Sequence, residues 1–238
     1  MEKGTLLYEG KAKKLFKTTD PAVVWAEYLN QATALNGLKK DQINGKGELN
    51  NQITAYIFDF LNTKEINNHF IKKISSTEQL IQPLEIIPLE VVVRNVAAGS
   101  FSKRLGITEG EVLDQPIVEF YYKEDQLDDP MVIDAHINYL GLASDQELAQ
   151  LRQLALKINQ ALNELFNSIE IALIDFKVEF GRQKDGSILL ADEISPDTCR
   201  LWDKKTNEHL DKDIYRRNLG DIVPVYQEVL NRLEKRGK

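Results

Sequence analysis

The sequence reads as an α+β protein, because hairpins of short strands and amphipathic helices occupy separate stretches rather than alternating unit by unit. Two hairpins carry this reading: a glycine-centred turn at Gly10-Lys11, and the Asp185-Gly186 turn that joins Ile169 to Phe180 with Ile188 to Ile194. The third observation is Ser144 followed by Glu147, a capping box opening a helix with Leu148, Leu151, Ala155, Ile158, Leu162 and Leu165 on one stripe. With 238 residues, 42% of them hydrophobic, the chain buries a sizeable core as one large domain or two small lobes.

In chain order, Thr5 to Glu9 and Lys13 to Lys17 form the first hairpin, and Val23 to Tyr28 adds a β-branched strand after the Asp20-Pro21 turn. Asn36 to Gly47 is glycine-dotted and polar, which predicts a loop; its Gly45-Lys46-Gly47 either approaches a ligand or is simply flexible. From Glu48 the apolar spacing turns helical through Leu49, Ile53, Tyr56, Ile57, Phe60 and Leu61. Phe70 to Ile74, Gln79 to Gln82 and Ile86 to Val96 are strands, with Pro83 and Pro88 restricting the chain there to an edge or a crossing between lobes. Gly106 to Asp114 is a polar connection and Ile117 to Tyr122 a strand, followed by an acidic, proline-broken loop in which Asp129 and Asp134 either serve a cation or are solvated. Two helices, Asp213 to Leu219 and Asp221 to Arg236, close the chain, the second interrupted near its start by Pro224.

Composition excludes several classes of function. A net charge of -7 argues against a nucleic-acid surface, since phosphate backbones reward a basic excess. The lone Cys199 forms no intrachain disulfide and fits a reducing compartment. No segment has the apolar length of a signal peptide or a membrane span, so the expectation is a cytoplasmic protein without membrane or nucleic-acid partners.

The chemistry concentrates in Asp175 to Trp202. Asp175, Lys177 and Glu179 alternate and share one strand face, Asp192 and Glu193 end the next strand, and the Ser195-Pro196-Asp197 break leads to Arg200 and Trp202. Either that face is solvated, as most charged strand faces are, or it lines a wet cleft. The Gly10 hairpin carries Lys11, Lys13 and Lys14 but departs from the Walker pattern, with five residues between Gly4 and Gly10 and Ala12 after the lysine. It either covers phosphates from above or is an exposed basic turn. Ile86 to Val96 delivers Arg94, then Gly99, Ser100, Lys103 and Arg104, a set suited to a phosphate or carboxylate pocket or to a plain helix start. Scattered histidines exclude a zinc site, and no G-x-S-x-G or G-x-G-x-x-G is present. The residues alone lead to an ATP- and magnesium-dependent enzyme acting on an anionic substrate.

LYEGKAKKLF, VVVRNVAAGSFSKRLG, DPMV from Asp129, DFKVEFG from Asp175 and DEISPDTCRLWD from Asp192 occur in that order across nearly the whole chain. Together they closely resemble the phosphoribosylaminoimidazole-succinocarboxamide synthase, or SAICAR synthetase, family of purine biosynthesis. The resemblance implies an ATP-dependent ligase that joins L-aspartate to carboxyaminoimidazole ribonucleotide (CAIR) through an acyl phosphate, releasing ADP and phosphate. It also implies a two-lobed α+β fold, with a mostly antiparallel ATP-covering lobe over 1–85 and a larger lobe over 86–238 that binds substrate and metal, and a homodimer. By matched motif, Lys11, Ala12, Lys13 and Lys123 would contact the nucleotide, and Glu179 and Asp192 would hold Mg2+ and the nucleotide. Arg94, Ser100, Arg200 and Arg216 would bind the ribonucleotide, and Asp175 and Lys177 would stand at the reacting centre. Cys199 stands where many relatives carry serine, and Ile133 to His136 departs from the pattern of some members. A small-molecule kinase or a nucleotide-binding module without turnover are the alternative classes, separable by whether aspartate is consumed.

Overall fold

In the computed structural model, which describes residues 1–34 and 39–236, the chain opens with β1 (Lys3–Glu9), β2 (Lys13–Thr18) and β3 (Val24–Tyr28). A small hairpin follows, β4 (Gln31–Ala34) with β5 (Lys39–Gln42), and then the long helix α1 (Lys46–Thr63). β6 (Phe70–Lys73) and β7 (Glu78–Ile81) complete a five-stranded antiparallel sheet in the order β1-β2-β3-β7-β6. Next come β8 (Glu85–Val96), α2 (Gly99–Leu105), β9 (Val112–Tyr122), β10 (Met131–Val132), α3 (Asp134–Leu140) and α4 (Asp145–Asn167). The chain ends with β11 (Ile171–Arg182), β12 (Ile188–Ala191), β13 (Cys199–Asp203), α5 (Asp213–Arg216) and α6 (Ile222–Arg236). The second sheet runs β10-β9-β8-β11-β12, with β13 pairing the first half of β11 beside β12. Two antiparallel sheets with segregated helices make the expected two-lobed α+β fold.

The main core lies between the six-stranded sheet and helices α1, α4 and α6, and the predicted α4 stripe is fully inside it. Each of those leucines contributes on the order of 1.5–3 kcal/mol by leaving water. The Ser144 capping box forms as expected, with Ser144 N donating to Glu147 Oε2 at 2.8 Å. The five-stranded sheet has only a small core of its own, Val24, Ala26 and Ile81 with Leu15 against them.

Several expectations are corrected. Positions 36 to 38 of the predicted loop lie outside the described residues, but 39–42 pair as β5 and α1 already begins at Lys46. Gly47 explains the early start: a Cβ there would stand 2.8 Å from the Tyr28 carbonyl oxygen, so only glycine lets the helix end meet β3. Pro88 lies within β8, just before the strand's pairing with β9 begins at Leu89, so it sits at a local edge, and the chain crosses from the first sheet to the second ahead of it, between Ile81 and Glu85. The ladder tolerates it because the β8–β11 register shifts between Glu179 and Gly181, and beyond the end of β9 the Pro88 carbonyl accepts from Lys123 N at 3.0 Å. Pro224 does not interrupt α6; it sits in the first turn, where an amide donor has no helical partner to lose. The helix predicted over Asp213 to Leu219 ends at Arg216, the acidic loop contains β10 and α3, and β9 begins at Val112 within the predicted connection. Among the described residues, no helix is long and apolar enough to cross a membrane.

Candidate active site

β11 runs through the centre of the site. Its period-two alternation puts Asp175, Lys177 and Glu179 on one face, and its neighbours extend the row: Arg94 of β8 and Arg200 of β13 both stand opposite Asp175, and Glu90 of β8 stands opposite Glu179. This face is not solvated as most charged strand faces are, because Asp175 and Glu179 are buried. Buried carboxylates need partners, and two clusters supply them.

The first cluster surrounds Asp175. Arg94 Nη1 donates to Asp175 Oδ2 at 2.8 Å, and Arg200 Nη1 donates to the same oxygen at 2.8 Å. Arg94 Nη2 lies 3.3 Å from Ser100 Oγ, and Arg200 Nε donates to Asp213 Oδ2 at 3.1 Å. Arg216 joins through Asp213 Oδ1 at 2.8 Å. Burial opposes the charge on Asp213, yet Arg200 and Arg216 outweigh it and hold its carboxyl at about 2. Gly99 closes the corner with φ +55, and a methyl group there would collide with Arg200 Nη2 and come within 2.7 Å of its Cζ.

The second cluster lies further along β11. Lys177 Nζ donates to Glu179 Oε1 at 2.8 Å and Glu90 Oε1 at 3.0 Å, and is 3.8 Å from Asp192 Oδ2. Lys123 Nζ reaches the same Glu179 oxygen at 2.8 Å. Lys13, from the start of β2, crosses to pair with Asp192 and lies 3.7 Å from Glu193. Burial opposes the Asp192 charge, but Lys13 and Lys177 keep its carboxyl well below the usual range. Asp192 also has φ 61, a conformation few side chains adopt, and His69 Nε2 donates to its carbonyl oxygen at 3.2 Å. Lys13 thereby ties the first hairpin to the far end of the second sheet, across 179 positions of sequence.

Lys11 is exposed and belongs to neither cluster, lying 2.6 Å from Asp125 on a single 3-10 turn, and Ala12 supplies its carbonyl to Leu29 N at 2.7 Å. Asp129 and Asp134 belong to neither cluster: Asp129 accepts from Glu124 N at 2.9 Å, and Asp134 pairs with Arg152. Cys199 faces the core, so its side chain lies on the opposite face of β13 from that of Arg200. Within Gly45-Lys46-Gly47, Lys46 is completely buried, 2.6 Å from Asp197 Oδ2, so its ammonium is not presented at the surface. Sequence reasoning passed over Glu90, Glu119, His69 and Asp213. Alternation back from Arg94 through Val92 would have found Glu90; His69 and Asp213 have no local signal, since one comes from the turn before β6 and the other from α5.

Comparisons with known proteins cover nearly the whole chain. The SAICAR synthetase family model matches residues 6–233. The phosphoribosylaminoimidazole-succinocarboxamide synthase of Enterococcus faecalis is 65% identical over 233 residues, covering 98% of both chains. The crystal structure of the synthase of that name from Ehrlichia chaffeensis superposes with a TM-score of 0.95 at 48% identity, over 97% of this chain and 98% of that one. A SAICAR synthetase (Type-2) in complex with ADP gives 0.93 at 45% identity, over 96% of this chain and 97% of that one. A sequence match that runs almost end to end and a backbone that superposes over the same span leave one conclusion: the chain belongs to the SAICAR synthetase family.

Proposed function

We propose that the cleft over β11 joins the carboxylate of CAIR to the amine of L-aspartate at the expense of ATP. The observation that carries this reading is the position of Lys177, one strand repeat (about 6.8 Å) from Asp175 on one side and from Glu179 on the other. An arginine cluster suited to an anionic ribonucleotide and a lysine-carboxylate cluster suited to phosphates thus share one strand face, with an ammonium between them.

Arg94, Ser100, Arg200 and Arg216 hold the ribonucleotide, and Asp175 holds the two guanidiniums against it. Lys11 and Lys13 neutralise the ATP phosphates, Lys123 sits beside them, and the Ala12 turn packs over the nucleotide. The CAIR carboxylate oxygen then attacks the γ-phosphorus, the bond to the β-γ bridging oxygen breaks, and ADP leaves; Lys177 faces the charge moving between the two sites. In the second step the aspartate amine attacks the acyl carbon, phosphate departs and the nitrogen loses its proton. Glu179 and Asp192 would hold Mg2+: both offer carboxylate oxygens, the donors it takes, and both approach the same Lys177 Nζ, at 2.8 and 3.8 Å. When bound, Mg2+ supplies further neutralisation of the transferring phosphoryl group. The reading further places the ATP-covering lobe at 1–85 and the substrate lobe at 86–238, in a cytoplasmic homodimer.

The test is ADP release with CAIR, omitting L-aspartate, Mg2+ or ATP in turn. Turnover is expected to stop in each case, and full turnover without aspartate would replace the ligase by a kinase. Gly99→Ala probes the ribonucleotide half. It is expected to raise the CAIR KM about tenfold through the collision with Arg200, and to destabilise by roughly 1–2 kcal/mol through its left-handed backbone. An unchanged KM would move the ribonucleotide away from the Gly99 corner.

A further inference from the structure

Arg94 and Arg200 approach Asp175 from opposite neighbouring strands and use the same atoms. Each gives Nη1 to Asp175, and each gives Nε to a second carboxylate, Arg94 to Glu119 at 3.1 Å and Arg200 to Asp213 at 3.1 Å. The sheet does not impose this repetition, because Glu119 comes from β9 and Asp213 from α5. Both carboxylates are buried, their side chains only 4% and 3% exposed, which is unfavourable unless the charge is used.

A guanidinium is a rigid planar fork. Pinning Nε and Nη1 removes its freedom to swing, so the direction of Nη2 is set. Arg94 Nη2 is left at the long distance of 3.3 Å from both Ser100 Oγ and Tyr121 Oη, and Arg200 Nη2 faces the bare Cα of Gly99. The two remaining donors therefore converge on the Gly99-Ser100 corner. Each carboxylate also ties in a further cation: Glu119 pairs with Arg104, and Asp213 with Arg216 and Arg217.

We propose that Glu119 and Asp213 are positioning residues for ribonucleotide binding, a matched pair of buried carboxylates that aims Arg94 and Arg200 at one anionic group seated at the Gly99-Ser100 corner. This rests on the reading that those two arginines hold CAIR. The bland alternative is that the ion pairs only fasten β9 and α5 to the sheet, which would lower stability on mutation without separating one substrate from the other.

Glu119→Gln and Asp213→Asn, in the full chain, distinguish the two. In both variants the CAIR KM is expected to rise about tenfold or more while the ATP KM stays within about twofold. In Arg94→Lys and Arg200→Lys backgrounds, respectively, the same changes should add less than about twofold to the loss of CAIR affinity measured by calorimetry, because a lysine has no fork to aim. A lower Tm with both KM values unchanged, a parallel rise in both, or a full additional loss in the lysine backgrounds would overturn the proposal. Should a variant fail to fold, Glu119→Asp and Asp213→Glu keep the charge and shift it by one methylene; the same KM split is expected, and its absence counts against the proposal. A wild-type chain that does not bind CAIR would instead remove the reading on which the proposal rests.

Discussion

Asp192→Asn is expected to lower kcat at least about 10²-fold, a loss of about 2.7 kcal/mol of transition-state stabilisation. Asparagine isolates the carboxylate charge, because it tolerates the left-handed backbone that Asp192 adopts and leaves its carbonyl free to accept from His69. What disappears is the partner of Lys13 and one of the two proposed Mg2+ ligands. The chain should still fold, which a melting curve would establish alongside the ADP-release assay. Wild-type rates would remove Asp192 from the site.

Lys177→Met is expected to be comparably damaging. Lys177 is the ammonium shared by Glu90, Glu179 and Asp192, and without it those carboxylates face one another with less compensation. The change should also be visible in the pH profile. In the wild type, burial opposes the Asp192 charge, and Lys13 and Lys177 outweigh it, so its carboxyl stays ionised well below the usual range. A carboxyl with a depressed pKa keeps its interactions above its unfolded value and loses them as pH falls through the folded one. Removing Lys177 moves the folded value up, so the acid limb of the rate profile should shift to higher pH. A variant with the wild-type acid limb and near-normal kcat would place Lys177 outside the reacting centre.

Much of the site was legible because it obeys local rules. Alternation along β11 put Asp175, Lys177 and Glu179 on one face, and the Asp185-Gly186 turn correctly joined that strand to β12, which stops at Ala191, short of the expected Ile194 and just before Asp192. The motif resemblance supplied the arginines. Whether the row was buried or exposed was not legible, since an alternating charged strand has the same pattern against solvent and against a cleft. The misreadings differ in cause: the early start of α1 depends on the strand backbone alongside it, whereas the unbroken first turn of α6 follows a local rule, since a proline there loses no helical bond. Glu119 and Tyr121 share a strand face in the sequence, but nothing in a single strand shows that the guanidinium of Arg94 meets them.

By itself, the sequence determined the α+β class, the helices with strong apolar stripes, the acidic character of the chain, and the residues able to carry phosphate and metal chemistry. Tertiary structure alone decided how these residues combine. It brought Lys13 from the first hairpin to Asp192, set two arginines against one buried Asp175, and gave each a second carboxylate from a different element. The physical reason is range. Periodicity and turn chemistry act over a few residues, whereas a buried charge is stabilised by whatever the fold places within hydrogen-bond distance.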